Sequence, residues 1–204
     1  MSPLETTAFK YMLTVYGSQR AFNRPKFSHT YATFEELDRV SGIRTEAPIM
    51  TISWLPRDGK INPIRRGEPG LNFSFEDTET WLAKGRSNDR WKSEPTEITP
   101  ELYFSARDRI AQLESGSVEY VMVDTFLTRP ESGSNCIHAV SDLPLALTEL
   151  RMAFTGSLHG IEASRFVYHY LSPYFVEPPP VKDLEEERFV AMQMAQPGLS
   201  TGAK

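Results

Sequence analysis

The first quarter of the chain has the periodicity of β-strands, and this pattern constrains the fold more than any other feature. Apolar residues fall at every second position of Phe9–Tyr16, the spacing of one face of a strand. Two later segments, Phe27–Phe34 and Ile49–Leu55, are dense in aromatic and β-branched residues, which are enriched in strands. We expect these three segments to form consecutive strands of one antiparallel sheet.

Helical signals follow in the second half of the chain. Thr99 is a suitable N-cap and Pro100 suits the first helical position. An apolar stripe then recurs at helical spacing, at Leu102, Ala106, Ile110 and Leu113. A buried strand is predicted at Val118–Phe126, and further helices at Asn135–Val140, Leu145–Phe154 and Ala163–Leu171. The sequence therefore predicts an α+β fold, an antiparallel sheet packed against helices.

The domain boundaries are set by composition. Residues 56–98 are rich in Pro, Gly, Asn and Asp and are predicted to be mostly loop, with one short helix near Glu76–Lys84; such a loop is either a lid or an inert insertion. Pro178–Pro180 closes the fold. We expect one domain over residues 1–180 and a flexible tail over residues 181–204.

Charge and composition exclude several classes of protein. The net charge of the 204 residues is −5 and no basic cluster is present, which argues against a nucleic-acid partner. No apolar stretch is long enough to span a membrane and no export signal precedes the first strand. We expect a soluble chain, cytoplasmic as written and exported if a leader has been removed. Nothing in the sequence indicates an oligomeric state.

Cofactor and metal sites are not expected. A single cysteine excludes an intrachain disulfide and a thiolate zinc cluster. The carboxylates lack the spacing of metal ligands, and the pair Gly67 and Gly70 lacks the context of a phosphate-binding loop.

Cys136 is the candidate nucleophile. It follows the small polar run Gly133–Asn135 and opens a predicted helix, where the N-terminal N–H groups and the dipole favour a thiolate. The same N–H groups are suited to bind a developing oxyanion, which makes Ser134 and Asn135 candidate substrate-binding residues. The alternative is an inert, buried cysteine, because unpaired cysteines are among the most buried residues.

His29 is the preferred base among the four histidines. A cysteine nucleophile commonly requires an imidazole, and His29 lies at the start of a predicted strand. His138 is two residues beyond Cys136, a separation at which helical side chains do not face each other. His159 falls in a predicted loop and His169 lies among aromatic residues. A hydrogen-bonded structural role for His29 is the alternative.

These segments resemble a circularly permuted papain-like fold. Phe-Ser-His-Thr-Tyr-Ala around His29, then Thr-Ile-Ser-Trp at 51–54, then Ser-Asn-Cys-Ile-His-Ala around Cys136, are similar to motifs of NlpC-type cell-wall peptidases and lecithin retinol acyltransferases, over roughly residues 9–174. The resemblance implies a third polar residue that orients His29. Ser53 or Thr51 would take that role, although the family more often has His, Asn or an acid there.

Three functions remain open. The first is a cysteine hydrolase or acyl-transfer enzyme, with Cys136, His29 and Ser53 in its site and a peptide, a peptidoglycan stem or an acyl group as substrate. The second is a non-catalytic binding module on the same fold. The third is an unrelated α+β domain in which Cys136 is structural. Trp54 is a candidate for a substrate groove, although tryptophans are more often core residues.

Overall fold

The computed structural model describes residues 8–19, 28–61, 67–85, 89–122, 132–143 and 160–177. The strands are β1 (Phe9–Gln19), β2 (His29–Asp38), β3 (Met50–Ile52), β4 (Trp54–Pro56), β5 (Glu68–Asn72), β6 (Asp89–Lys92), β7 (Thr96–Ile98), β8 (Glu119–Tyr120) and β9 (Gly133–Ser134). The helices are α1 (Phe75–Lys84), α2 (Pro100–Glu114), α3 (Cys136–Ser141) and α4 (Gly160–Tyr170), followed by a short 3-10 helix at Ser172–Tyr174.

The strands form two sheets. The first has the order β3-β2-β1-β6, and β7 also pairs with β1; every pairing in it is antiparallel. The second has the order β4-β5-β8-β9, in which only β8 and β9 run parallel. The predicted α+β class with an antiparallel sheet is therefore confirmed.

Strand β1 lies at the centre of the first sheet. Along one of its edges it pairs first with β7, at Tyr11–Leu13, and then with β6, at Tyr16–Gln19. The gap between these two strands is closed at Ser93, whose N–H donates to the carbonyl of Val15 at 2.9 Å. In return the N–H of Val15 donates to Ser93 Oγ at 3.1 Å. A side chain thus replaces the strand where the backbone pairing is interrupted, so that both backbone groups of Val15 remain satisfied.

Three helices pack against the sheets and enclose the main hydrophobic core. Helix α4 packs on β1 and β2, α3 packs on β2 and α4, and α2 packs on β5 and β3. Side chains of the predicted stripe in α2 are buried, with Ile110 only partly so. The largest fully buried side chains include Trp54, Tyr31, Phe34, Leu13, Ile52 and Leu102.

Helix α1 covers the other face of β2. Successive side chains of a strand point to opposite faces, and Thr30 of β2 bonds Ser164 of α4 at 2.8 Å. The neighbouring side chains of His29 and Tyr31 contact α1 instead, at Trp81 and Glu79 respectively. This alternation determines which helix each residue at the start of β2 contacts.

The structure corrects two predictions about strands. Residues 56–98 are not mostly loop, because they contain β5, β6 and β7 besides the predicted helix. Their strands are short and mostly exposed or half-buried, so they lack the alternation of apolar and polar residues by which strands are recognised. The predicted strand Ile49–Leu55 is also divided, because Ser53 separates β3 from β4.

Other predictions fall partly or wholly outside the described residues. Of the predicted strand Val118–Phe126, the structure assigns Glu119–Tyr120 and describes the chain only to residue 122. The predicted helix Leu145–Phe154 and the predicted tail at 181–204 lie outside the described residues.

Candidate functional site

His29 is held in a buried aromatic setting at the start of β2. Its side chain is fully buried and stacks on Tyr31, with ring centroids 5.4 Å apart and planes inclined by 11°. Trp81 of α1 meets the imidazole edge-on at 5.6 Å. These contacts fix the plane of the imidazole and leave its two nitrogens as the polar groups that need partners.

Ser53 is the partner of one ring nitrogen. Its Oγ lies 2.9 Å from His29 Nε2, and both side chains are buried. Thr51, the other residue that the resemblance offered, lies in β3 opposite Thr33 of β2. Its carbonyl accepts from Asn72 Nδ2 at 2.8 Å. The structure therefore pairs the imidazole with Ser53 rather than with Thr51.

The break between β3 and β4 places Ser53 where it can reach His29. The side chain of Asn72 substitutes for a neighbouring strand, since its Oδ1 accepts the Ser53 N–H at 2.8 Å. The carbonyl of Ser53 accepts from the N–H of Phe73 at 2.9 Å. With both backbone groups bonded, the position of the Ser53 hydroxyl is well defined.

Thr78 extends the site and was not anticipated from the sequence. It lies on α1 with no exposure to solvent, and its Oγ1 is 2.7 Å from Ser53 Oγ and 2.7 Å from the carbonyl oxygen of Ser74. The only local signal is a threonine four residues after a helix N-cap serine, where a hydroxyl can bond back to the preceding turn. The contact with Ser53 spans 25 residues and has no local signature.

The surroundings of His29 keep its imidazole neutral. Burial, together with a smaller contribution from like-charge repulsion by the Arg90 guanidinium, lowers the pKa of His29 to about 3. Arg90 in turn bonds Glu79 at 3.2 Å, and Glu79 accepts from the hydroxyl of Tyr31. Burial and the bond to Glu79 also raise the pKa of Tyr31.

Cys136 begins α3 as predicted, with Asn135 as its N-cap. The Asn135 side chain accepts the N–H of His138 at 2.8 Å. However, the expected fall in the thiol pKa is wrong for this arrangement. Cys136 is only 8% exposed, and burial raises its pKa to about 11 although N–H groups of Thr30, Cys136 and Ile137 oppose the rise. A six-residue helix aligns few peptide dipoles, and here they are outweighed by desolvation.

The thiol approaches β2 beside His29 without bonding it. The thiol is close enough to the Thr30 N–H for that group to favour the thiolate, and Thr30 directly follows His29. Among the residues that the structure describes, His29 Nδ1 has no hydrogen-bond partner and His29 Nε2 is taken by Ser53. The Cys136 thiol thus lies near the backbone of the residue that follows His29, and one imidazole nitrogen has no partner within the described residues.

The three predicted substrate-binding residues hold the cysteine segment in place instead of facing solvent. Trp54 is 1% exposed and its Nε1 donates to the carbonyl of Ser134 at 3.1 Å. Ser134 is fully buried and its Oγ accepts from Arg109 Nη2 at 3.0 Å. Asn135 is buried as the N-cap of α3. None of the three side chains is open to a ligand in this arrangement.

Arg109 connects both ends of α3, a role that no local sequence pattern indicates. Besides Ser134, which precedes the helix, it reaches the carboxylate of Asp142 at the C-cap, 3.8 Å away. Both side chains are almost completely buried, at 5% and 1% exposure. A buried cation on α2 therefore fixes the segment that carries Cys136.

The remaining histidines are arranged differently. His138 is fully buried within α3, and His169 packs edge-on against Tyr168 in α4. His159 lies outside the described residues. Within the described ranges no three His, Cys, Asp or Glu residues are grouped closely enough to bind a metal ion. Nor does that part of the chain contain a helix with the length and apolar character required to cross a bilayer.

Comparison with known proteins adds no relative. No protein-family model matches the chain, and no curated protein or solved structure matches it at a significant level.

Proposed function

We propose that this chain is a cysteine hydrolase or acyl-transfer enzyme on a permuted papain-like fold. Cys136 is the nucleophile, His29 the base and Ser53 the residue that orients the imidazole. The observation that carries the proposal is the 2.9 Å contact between His29 Nε2 and Ser53 Oγ. An imidazole oriented through one nitrogen keeps the other for proton transfer, and the Cys136 thiol lies beside the next residue of the strand.

The reaction proceeds through a thioester. His29 Nδ1 takes the proton of the Cys136 thiol while the sulfur attacks the carbonyl carbon of an amide or ester. A C–S bond forms, the C–N or C–O bond breaks, and the leaving amine or alcohol receives the proton from His29. Water or an acceptor amine or alcohol then attacks the thioester, and the thiol is regenerated.

The described arrangement corresponds to a closed, resting form. With Cys136 8% exposed and His29 fully buried, an acyl group can reach the sulfur only if neighbouring side chains move, as happens when substrate binding completes a site. A peptide, a peptidoglycan stem and a lipid acyl group are the substrate classes that this chemistry accepts.

Acyl transfer to the sulfur is the direct test. The folded protein is incubated with p-nitrophenyl esters of short and long carboxylic acids and with an acyl-peptide p-nitroanilide. Nitrophenolate or nitroaniline release and intact mass are recorded. We expect an acyl adduct on Cys136 that is absent in Cys136→Ala. Loss of the base in His29→Gln should slow its formation by about 10²–10⁴-fold.

His169→Gln is the matched control, because His169 is a partly buried histidine on α4 that packs against Tyr168. It should acylate at the wild-type rate. An adduct that persists in Cys136→Ala, or a His29→Gln protein as fast as wild type, overturns the assignment of the site.

A binding module without chemistry is the second candidate, and the protonation of the two groups favours it. A thiol with a pKa of about 11 and an imidazole with a pKa of about 3 are both neutral at pH 7, so no thiolate–imidazolium pair forms in the closed arrangement. A folded wild-type protein that binds an acyl peptide with no acyl adduct at any pH would select this candidate over the enzyme.

A further inference from the structure

We propose that Ser18 and His29 together bind one buried water molecule, which is held between Ser18 Oγ and His29 Nδ1. The two residues lie on neighbouring strands, and neither side chain has any exposure to solvent. This site goes beyond the proposed function, because it concerns a ligand that the imidazole holds before any substrate binds. It is independent of whether Cys136 is a nucleophile.

The register of the first sheet places the two side chains next to each other. Ser18 of β1 lies directly opposite His29 of β2. Directly opposed residues of an antiparallel pair point to the same face of the sheet, with Cβ atoms about 4.5–5.5 Å apart. The adjacent pair on that face, Tyr16 and Tyr31, shows this arrangement, because the two rings stack with centroids 4.7 Å apart.

Gly17 identifies the face on which Ser18 lies. A Cβ on Gly17 would be 2.7 Å from Ser164 Oγ, so residue 17 faces α4. Because successive residues of a strand point to opposite faces, Ser18 faces away from α4. That is the face on which His29 meets Trp81 of α1. The serine hydroxyl and the imidazole therefore both lie between the sheet and α1.

Neither polar atom has a partner in the described part of the chain. Ser18 Oγ and His29 Nδ1 are both buried without a hydrogen bond to any described residue, including each other. Buried polar groups are nearly always bonded to protein or to ordered water, and an unbonded one is destabilising. Two such atoms on directly opposed residues indicate one shared partner. A water molecule can bridge them through two hydrogen bonds of about 2.8 Å.

The chemistry of the two groups favours water over an ion. Burial keeps the His29 imidazole neutral near pH 7, and the serine hydroxyl is neutral as well. Arg90, which lies opposite Ser18 on β6, already bonds Glu79 at 3.2 Å. A buried anion would thus lack a free cation to offset its desolvation. Water both donates and accepts, so it can bond Nδ1 in either tautomer of the imidazole.

A water at Nδ1 would give the buried imidazole a path for a proton. A general base can act through one intervening water as well as by direct contact. In the closed form, a proton would reach or leave Nδ1 through this water. Its use in acyl transfer rests on the proposed function, whereas the water site itself does not.

A crystal structure of the full-length protein that resolves ordered waters is the direct test. We expect one water oxygen within hydrogen-bond distance of both Ser18 Oγ and His29 Nδ1. In solution, water-selective NOE spectra of protein with ¹³C-labelled histidine should show a cross-peak between water and the His29 Cε1 proton, assigned from a His29→Gln sample. Ser18→Ala removes one of the two groups that hold the water, so this cross-peak should be lost.

Ser141→Ala is the matched control. Ser141 is also a buried serine whose Oγ has no partner among the described residues, but it lies on α3. This variant should keep the cross-peak. The control matters because the Ser53 hydroxyl, 2.9 Å from His29 Nε2, can exchange its proton with solvent and relay a signal. Such a relayed signal would remain in Ser18→Ala.

Two results would overturn the proposal. A wild-type crystal structure with a direct bond between Ser18 and His29, or with no ordered water at the pair, refutes it without any variant. This covers the case in which Ser18→Ala does not fold. A cross-peak that persists in folded Ser18→Ala shows that the signal comes from elsewhere. Because neither measurement needs a substrate, failure of acyl transfer and failure of this proposal are separate outcomes.

Discussion

Arg109 on α2 lies 3.8 Å from Asp142 at the end of α3, and both side chains are nearly completely buried. Arg109 also donates to Ser134 at the start of the cysteine segment. Removal of one member of a buried ion pair typically costs about 3–5 kcal/mol, because the other charge stays in a low-dielectric setting.

We therefore expect Arg109→Met to lower the free energy of unfolding by about 3–5 kcal/mol. The double variant Arg109→Met with Asp142→Asn should recover part of that loss. Urea unfolding of the wild type, both single variants and the double variant gives the coupling between the two residues. Additive single losses would show that the two charges do not stabilise each other.

His29 should make the fold sensitive to acid. Its folded pKa of about 3 lies below the ordinary value of 6.5, so between these pH values the unfolded chain binds one more proton than the folded chain. Stability therefore falls as pH decreases through this window, by up to about 1.4 kcal/mol per pH unit from this residue. Urea unfolding of wild type and His29→Gln between about pH 7 and pH 5 measures the difference, and parallel curves would contradict a buried neutral imidazole.

Cys136 should alkylate slowly at neutral pH. Because burial raises the thiol pKa to about 11, the resting protein holds little thiolate near pH 7, where a free thiol with a pKa of about 8.5 holds a few per cent. Iodoacetamide labelling of folded protein across the alkaline range should give a midpoint above that of a model thiol. A midpoint below the free value would indicate a thiolate–imidazolium pair and an open site.

Gly70 should resist substitution because of Trp54. A Cβ at Gly70 would overlap the indole ring, whose Nε1 bonds the carbonyl of Ser134. Overpacking of this kind costs typically about 1–3 kcal/mol, so Gly70→Ala should lower the urea midpoint and change the tryptophan fluorescence. Gly85→Ala is the control, since a Cβ there meets only the carbonyl oxygens of Trp81 and Leu82 at 3.4 and 3.5 Å. Equal midpoints for the two variants would argue against the packing.

The parts of the site that follow local rules were predictable. Asn135, whose side chain caps α3, and the start of α2 after Thr99 depend on residues within a few positions, although the Thr99 side chain makes no capping bond. The choice of Ser53 or Thr51 for His29 came from the resemblance, and the alternation of a strand puts both on one face. The structure resolves that choice because the chain leaves the first sheet at Ser53.

The rest depends on contacts between distant segments. Thr78 meets Ser53 through the position of α1, and Arg109 meets Ser134 through the packing of α2 against the second sheet. The pKa of Cys136 was misjudged for the same reason. Burial depends on the whole fold, and no local pattern distinguishes a thiol at an exposed helix start from one beneath other elements.

The order in which the chain closes these contacts is a consequence of where Ser53 lies. Its bonds to His29, Asn72 and Thr78 span 24, 19 and 25 residues, whereas Trp54 meets Ser134 across 80 and Thr30 meets Ser164 across 134. Short loops close at lower entropic cost, so we expect the imidazole half of the site to assemble before the cysteine segment docks. In pulse-labelled hydrogen exchange during refolding, the Ser53 amide should gain protection earlier than the amide of His138. The folding chain would thus hold an ordered imidazole before its one thiol reaches it.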